Sequence, residues 1–252
     1  MKQKGEVEDM RVKIVKDYKA ISEAAADVVE AALKGKPDLV LGLATGSTPL
    51  GMYEELIKRH QGGMDFSKAT TFNLDEYFGL SSDHQASYHY YMEEQLFRHI
   101  NIDPANTYIP NGINPDPMEE CKNYETQMKT AGGIDLQILG IGTNGHIGFN
   151  EPGAPFGGTT SLVDLAQETV NANARFFQKL DEVPRQAISM GIKSIMNCAE
   201  IVLLANGAHK ADAVSQALLG PVTEKLPASV LQLHPNCLFI IDEAAAAKLP
   251  IT

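Results

Sequence analysis

Apolar residues recur at helical spacing near the start of the chain. Within residues 17–34 they return every three or four positions, until Gly35 and Pro37 end the pattern. One face of a helix repeats every 3.6 residues, so this segment is predicted to form an amphipathic helix. The run 39–44 that follows contains apolar residues and one glycine, without polar alternation. This pattern is typical of a strand that is covered on both faces in a parallel sheet.

Strand-like and helix-like segments continue to alternate along the chain. Further strands are predicted at 69–73, 134–141, 201–205 and 237–241, and further helices at 87–99, 117–129 and 209–219. Alternating strands and helices favour right-handed crossovers and a mostly parallel sheet. We therefore predict that residues 1–252 form a single domain with a doubly wound α/β fold of modified Rossmann-like type, with helices on both faces of the sheet. Such folds bind ligands beyond the carboxyl ends of their strands.

Two segments lack a clear periodic pattern. Residues 1–10 mix both charges and carry no apolar repeat, so we expect a disordered, frayed terminus. Residues 153–182 begin with a stretch that is rich in Gly, Thr and Asn and has weak periodicity. This composition predicts a mobile lid over a binding site.

The formal net charge of −11 narrows the class of partner. The charge repels polyanions at long range, so we expect a small-molecule substrate and no nucleic acid. An anionic ligand could still be held locally by backbone N–H groups and a few cations. The three cysteines form no CxxC pair, and no apolar run approaches the ~20 residues of a membrane span. These features predict a cytoplasmic protein with no membrane partner and no thiolate metal site.

The first candidate site follows the strand 39–44, in the sequence Thr-Gly-Ser-Thr-Pro. Thr48 is a suitable helix N-cap, and Pro49 suits the first helical position. Gly46 allows a ligand to approach the backbone closely, and free N–H groups at a helix start bind phosphate. Gly46, Ser47 and Thr48 are therefore candidate phosphate-binding residues. An ordinary capped turn has the same pattern, and neither the Walker nor the GxGxxG motif is present.

The second candidate site is a pair of adjacent carboxylates, Asp75 and Glu76, which follow the predicted strand 69–73. Neighbouring residues on a strand point to opposite faces, so the two are not expected to form an acid/base pair. One of them should face the cleft, where burial would raise its pKa and make it a base towards a C–H next to a carbonyl or imine. The alternative is a solvated loop in which Asp75 caps a helix.

The third candidate site is the glycine-rich loop after the predicted strand 134–141. Gly145 and Gly148 flank His146, so the backbone can turn sharply and the ring has room to meet a ligand. Asn144 and Glu151 lie in the same loop. A carboxylate near a histidine fixes its tautomer and raises its pKa, which suits proton transfer near neutral pH.

Two cations are candidates for an anion clamp: Arg175, and Lys210 near the start of a predicted helix. Most lysines and arginines simply solvate a surface, so neither is specific alone. The histidines suggest no metal site. His84 and His89 lack the HExxH pattern and are interpreted as surface or packing residues.

These segments together resemble the glucosamine-6-phosphate deaminases over nearly the whole chain. The resemblance rests on TGSTP at 45–49, FNLDEY at 72–77, GIGTNGHIGFNEPG at 140–153, ARFF at 174–177 and LQLHP at 231–235. The loop 140–153 is highly specific. Looser forms of 45–49 also occur in related sugar-phosphate isomerases and lactonases.

The resemblance implies an aldose–ketose isomerisation coupled to deamination, from glucosamine 6-phosphate and water to fructose 6-phosphate and ammonia. It implies that Asp75 moves a proton between C2 and C1, and that His146 opens the sugar ring with help from Glu151 and Asn144. It also implies a phosphate clamp and neither metal nor organic cofactor. The clamp residues are Gly46, Ser47, Thr48, Arg175 and Lys210.

The chain departs from the allosteric branch of that family. Asn144 replaces an aspartate, as in a shorter branch, while Ser161 and Val163 replace cations that bind N-acetylglucosamine 6-phosphate. The C-terminal extension is also missing after Thr252. The resemblance therefore favours the shorter, non-allosteric branch, as a monomer or small homo-oligomer. Two alternatives remain open: a 6-phosphogluconolactonase-like hydrolase and a non-catalytic sugar-phosphate sensor.

Overall fold

The computed structural model describes residues 11–173, 177 and 182–250. Its helices and strands alternate along the chain as predicted. The strands are β1 (Arg11–Val15), β2 (Val40–Leu43), β3 (Thr70–Asn73), β4 (Asp75–Tyr77), β5 (Thr107–Tyr108), β6 (Leu136–Gly140), β7 (Ser161–Asp164), β8 (Gln186–Ser189), β9 (Glu200–Ala205) and β10 (Cys237–Asp242). The helices are α1 (Tyr18–Gly35), α2 (Leu50–Gln61), α3 (Tyr88–Gln95), α4 (Pro117–Thr130), α5 (Gln167–Asn173), α6 (Ile192–Met196) and α7 (Ala211–Leu219).

The main sheet is parallel throughout. Within the described residues it has seven strands in the order β1-β10-β9-β6-β2-β3-β5, and each neighbouring pair is parallel. A smaller antiparallel sheet has the order β4-β8-β7. The predicted α/β fold with a mostly parallel sheet is confirmed.

Helices cover both faces of the main sheet. On one face, Ile21 of α1, Met52 of α2 and Met92 of α3 pack with strand residues such as Leu43. On the other face, residues of α4, α6 and α7 pack with Leu139 of β6 and with Ile201 and Leu203 of β9. A run that is buried on both faces has no polar alternation, which explains the continuous apolar pattern of β2.

Local sequence sets where several helices begin. Asp17 precedes α1, and its side chain accepts a hydrogen bond from the N–H of Ala20. Asp116 caps α4 in the same way, with Pro117 as the first helical residue. Both residues satisfy N–H groups that have no partner within the helix. None of the helices in the described residues is both long and apolar enough to cross a membrane.

Some elements differ from the sequence prediction. The strand β1 was not predicted. It is only five residues long and lies at the sheet edge, and its residues are mostly exposed. The predicted helix 87–99 is broken at Leu96, whose φ of −145° separates α3 from a short 3-10 turn. Leu96 is buried in the core, so tertiary packing overrides the helical pattern here. The predicted lid 153–182 contains β7 and α5, and its mobility stays a prediction.

A close contact between β2 and β6 fixes the middle of the main sheet. Gly42 and Gln137 are register partners on these strands, and the Gln137 side chain lies directly over Gly42. A Cβ atom on Gly42 would lie 2.0 Å from Gln137 Oε1, well inside van der Waals contact. Gln137 is buried and its Nε2 donates to the Ile138 carbonyl at 2.8 Å. The side chain therefore has little room to move.

Replacing Gly42 by alanine should destabilise the fold by about 1–3 kcal/mol, the usual cost of overpacking a core. Gly140→Ala is the matched control, because a Cβ atom on Gly140 of β6 would meet no atom within 4 Å. Urea denaturation of both variants measures the difference in unfolding free energy. Equal stabilities for the two variants would contradict this account of the contact.

Candidate active site

A cavity of about 460 Å³ lies at the carboxyl ends of four neighbouring strands, β9, β6, β2 and β3. The loops after these strands supply most of its wall. Candidate residues that are separated by more than 160 positions in the chain meet there. The structure brings together at this cavity Gly46, Ser47, Thr48, Asp75, Asn144, His146 and Lys210.

Two tyrosine hydroxyls hold the loop after β2. The Tyr91 hydroxyl donates to the Gly46 carbonyl at 2.6 Å, and the Tyr18 hydroxyl donates to the Ser47 carbonyl at 2.9 Å. In a trans peptide the following N–H points the opposite way, so the N–H groups of Ser47 and Thr48 are oriented away from these tyrosines. Fixed N–H groups beside a helix start are suited to an anion.

The details of this helix start differ from the sequence prediction. Helix α2 begins at Leu50, its N-cap is Pro49, and no side chain caps it. The prediction that Thr48 is the N-cap is therefore wrong, because the helix starts one residue later than the Thr-Pro pattern suggested. The Gly51 N–H instead donates to the Tyr18 hydroxyl at 2.8 Å. Thr48 lines the cavity and remains a candidate ligand for phosphate.

Asp75 begins the short strand β4 and faces the cavity, as one of the two adjacent carboxylates was expected to do. Its side chain is nearly buried, at 6% exposure. Burial, together with the negative charge of Glu76, raises the pKa of Asp75 from 3.8 to about 8. A carboxylate with a raised pKa is a stronger base once it is ionised.

Glu76 lies on the opposite face of the strand and is completely buried. It accepts hydrogen bonds from the backbone N–H groups of Tyr88 and His89 at the start of α3. The alternative of a solvated loop in which Asp75 caps a helix is therefore wrong, because Asp75 is buried in β4 and Ser87 is the N-cap of α3. His89, interpreted as a surface or packing residue, also lies 2.9 Å from Glu76 through its Nδ1 atom.

The loop after β6 brings His146, Asn144 and Glu151 into one cluster. Asn144 Nδ2 donates to Glu151 Oε2 at 2.8 Å, and His146 Nδ1 lies 3.4 Å from the same oxygen. Gly145 and Gly148 have φ values of +83° and +56°, which confirms the sharp turns expected around His146. Gly142 leaves the space for the imidazole, because a Cβ atom there would lie 2.4 Å from the ring.

Glu151 remains a carboxylate despite its partial burial. Burial alone would raise the pKa of this group, but hydrogen bonds and the attraction of His146 lower it to about 2. Thr169 of α5 contributes through a hydrogen bond from its hydroxyl to Glu151 Oε1 at 2.5 Å. This contact was not predicted, and it links the segment 153–182 to the histidine cluster.

Lys210 reaches the cavity from the turn after β9. It is partly buried, its Nζ donates to the Ile141 carbonyl at 2.6 Å, and burial lowers its pKa. The turn is held by Asp242, whose two oxygens each accept the Gly207 N–H at 3.0 Å. The second predicted cation, Arg175, lies outside the described residues.

The structure adds cavity residues that were not among the predicted site residues. Tyr88 and Phe149 form an aromatic wall, with parallel rings 6.2 Å apart, while Asn206 and His209 lie beside Lys210. These residues have no local pattern that distinguishes them from core aromatics or surface polar residues. Within the described part of the chain, no three His, Cys, Asp or Glu side chains are placed to hold a metal ion.

Comparison with known proteins identifies the family. The model of the glucosamine-6-phosphate isomerases/6-phosphogluconolactonase family matches residues 16–239. The chain belongs to this family. Its relatives include a glucosamine-6-phosphate deaminase of Thermoanaerobacter pseudethanolicus, 54% identical over 96% of both chains. A glucosamine-6-phosphate deaminase of Clostridioides difficile is 51% identical over 95% of this chain and 97% of the relative.

Solved structures of the family separate into near and distant relatives of this chain. A monomeric glucosamine-6-phosphate deaminase is 47% identical and has a TM-score of 0.93, covering 94% of this chain and 99% of its own. The 6-phosphogluconolactonase of Trypanosoma brucei has a TM-score of 0.79 at 18% identity, covering 96% of this chain and 99% of its own. The second likeness shows a shared fold alone.

The raised pKa of Asp75 predicts a specific pH dependence of stability. Folding increases the proton affinity of this carboxyl, so its contribution to stability is complete below pH 3.8 and is lost as the pH rises towards 8. The loss should reach up to about 1.4 kcal/mol per pH unit within that window. Asp75→Asn removes the titration and should be increasingly more stable than the wild type as the pH rises.

Urea denaturation of wild type and Asp75→Asn at several pH values between 4 and 8 measures this difference. Asp83→Asn is a control, because Asp83 is exposed and a hydrogen bond from Ser81 lowers rather than raises its pKa. A stability difference between wild type and Asp75→Asn that does not vary with pH would show that Asp75 titrates normally.

Proposed function

We propose that this protein is a glucosamine-6-phosphate deaminase, which converts glucosamine 6-phosphate and water into fructose 6-phosphate and ammonia. The observation that carries the proposal is a buried carboxylate, Asp75, in the same cavity as the His146–Glu151 pair. Relatives that are 51% and 54% identical over nearly their full length bear this name. The 6-phosphogluconolactonase alternative has support at the level of the fold only, and no observation favours a non-catalytic sensor.

Substrate binding begins at the phosphate group in this proposal. The N–H groups of Ser47 and Thr48 and the ammonium of Lys210 bind the phosphate oxygens, and Arg175 completes the clamp. Lys210 would exchange its hydrogen bond with the Ile141 carbonyl for one with phosphate, which is charge-assisted and stronger. A partly buried lysine suits this role, because screening by water is weak there.

Ring opening requires proton transfer between two oxygens of the sugar. His146 takes the proton from the C1 hydroxyl and returns one to the ring oxygen, so that the C1–O5 bond breaks and an aldehyde forms at C1. Glu151 stays ionised and stabilises the imidazolium that exists between these two transfers. Asn144 donates to Glu151 and holds the carboxylate beside the ring.

Isomerisation requires a second base at a different carbon. Asp75 removes the proton from C2, the substrate ammonium gives a proton to the aldehyde oxygen, and an enolamine forms between C1 and C2. Asp75 then returns its proton to C1, which gives the protonated imine of fructose 6-phosphate. Water adds to C2 of the imine, and the C2–N bond breaks to release ammonia. All steps are proton transfers or hydrolysis, so no electron acceptor is needed.

We extend the proposal to the setting of the enzyme. It acts on a free amino sugar phosphate in the cytoplasm, as a monomer or small homo-oligomer. The relative of 47% identity is described as monomeric, which supports a small assembly. Ser161 and Val163 on β7 offer no cation for an anionic effector. An effector shifts an equilibrium only through different affinities for two states. Insensitivity to N-acetylglucosamine 6-phosphate therefore stays a prediction.

Ammonia release from glucosamine 6-phosphate is the direct test of the proposed function. The wild type should release ammonia and fructose 6-phosphate in equal amounts, and Asp75→Asn should lower turnover by roughly 10²-fold or more, because the C2 proton then lacks a base. Hydrolysis of 6-phosphogluconolactone without ammonia release from the amino sugar would replace the proposal by the lactonase alternative.

Replacing Lys210 by methionine tests the phosphate clamp. The variant keeps the apolar stem but loses the charge, so KM for glucosamine 6-phosphate should rise roughly 10- to 100-fold, the value of one charged hydrogen bond. Lys225→Met is a matched control, because Lys225 is exposed and does not line the cavity. If Lys210→Met kept the full preference for phosphorylated over unphosphorylated glucosamine, the phosphate would have to bind elsewhere.

A further inference from the structure

We propose that Glu76 is a positioning residue for the reaction, whose buried carboxylate holds the start of α3, and with it the Tyr88 wall of the cavity, against the strand that bears Asp75. The inference rests on the proposed function, since Asp75 is the base in that function. Glu76 does not line the cavity, because its side chain lies on the face of β4 that points away from it. Its contacts, its burial and its charge support this role.

The contacts of Glu76 are concentrated on one short segment. Oε1 accepts the Tyr77 N–H at 2.7 Å, and both oxygens accept the Tyr88 N–H, at 3.0 and 2.9 Å. Oε2 also accepts the His89 N–H at 3.0 Å and lies 2.9 Å from His89 Nδ1. The Glu76 side chain is 0% exposed. A buried carboxylate that accepts several N–H hydrogen bonds is held firmly in place.

The segment that Glu76 holds carries a wall of the active site. Tyr88 is the first residue of α3 and lines the cavity, with its ring parallel to that of Phe149. Its centroid also lies 4.9 Å from that of Tyr77, the last residue of β4. Glu76 therefore connects β4, which carries Asp75, to Tyr88 at the start of α3. About ten residues of loop separate these two elements in the chain. Loss of these bonds would displace Tyr88 relative to Asp75.

The charge of Glu76 has a second effect, on the neighbouring base. Burial and the negative charge of Glu76 together raise the pKa of Asp75. Within the described residues, the other titratable groups around Asp75 are Tyr88 from α3, Tyr124 from α4, and His146, His209 and Lys210, which line the same cavity. Among these groups and Glu76, only Glu76 is a carboxylate. It should therefore set how strongly Asp75 holds a proton, while His89 on its far side would reduce this effect when protonated.

The experiment compares the titration of Asp75 in wild type, Glu76→Gln and Ser87→Ala. The Asp75 carboxyl is followed by carbon-13 NMR of aspartate-labelled protein, with Asp75→Asn to assign the signal. Ser87 caps the same helix through a hydrogen bond from the Tyr90 N–H, so Ser87→Ala weakens the start of α3 without changing its charge. Melting temperatures report the structural effect of each variant.

Glu76→Gln should lower the midpoint of the Asp75 titration by about one pH unit, because the nearby negative charge is lost. Ser87→Ala should leave the midpoint within about 0.3 pH unit of the wild type, even if its melting temperature falls as much as that of Glu76→Gln. In the ammonia assay, the acid limb of the rate profile of Glu76→Gln should move to lower pH by the same amount. Its kcat should fall more than its KM changes, since the phosphate loop is untouched.

A wild-type kcat in folded Glu76→Gln would overturn the positioning role. An unchanged midpoint in Glu76→Gln, or an equal shift in Ser87→Ala, would overturn the effect of its charge on Asp75. If Glu76→Gln does not fold, His89→Asn provides the test, because it keeps an amide donor near Oε2 and removes any positive charge. The midpoint of Asp75 should then stay or rise, and a fall would overturn the inference. The NMR titration needs no turnover, so it tests the effect of Glu76 on Asp75 even if the protein has no deaminase activity. The ammonia assay tests the proposed function separately.

Discussion

The parallel direction of the strands in the main sheet is the constraint on which the site depends. Parallel strands have all their carboxyl ends at one edge, so the loops that follow β9, β6, β2 and β3 must meet there. These four strands are neighbours in the sheet, and their loops line one cavity of about 460 Å³. The loop after β2, Asp75, the histidine cluster and Lys210 therefore come together without any local signal that relates them to one another.

Electrostatic tuning within this cavity gives two carboxyls opposite properties. Glu151 has its pKa lowered to about 2, since hydrogen bonds and His146 outweigh the effect of burial. Asp75 has its pKa raised to about 8, since burial and a neighbouring carboxylate act in the same direction. One group thus stays charged beside an imidazole, while the other holds and releases a proton near neutral pH. In the proposed function, N–H groups and Lys210 act locally on the phosphate, so the net charge of −11 does not prevent its binding.

The small antiparallel sheet connects the base to the segment that was predicted to be a lid. Asp75 on β4 and Ser161 on β7 both pair with Ser189 of β8. Beyond β7, the Thr169 hydroxyl binds Glu151, so the same segment also contacts the histidine cluster. This segment is therefore connected to both Asp75 and the partner of His146. The two groups with proposed catalytic roles, Asp75 and His146, are thus both linked to this segment, through the small sheet and through the Thr169–Glu151 hydrogen bond.

The sequence alone determined the order and type of most elements, the turns around His146 and the loop that is suited to phosphate, because these depend on periodicity and local backbone chemistry. Tertiary structure alone decided that Asp75, and not Glu76, faces the cavity. It also decided that Tyr18 and Tyr91 hold the loop after β2, and that β1 completes the sheet edge. These outcomes depend on burial and on contacts between residues far apart in the chain, for which a local pattern carries no information.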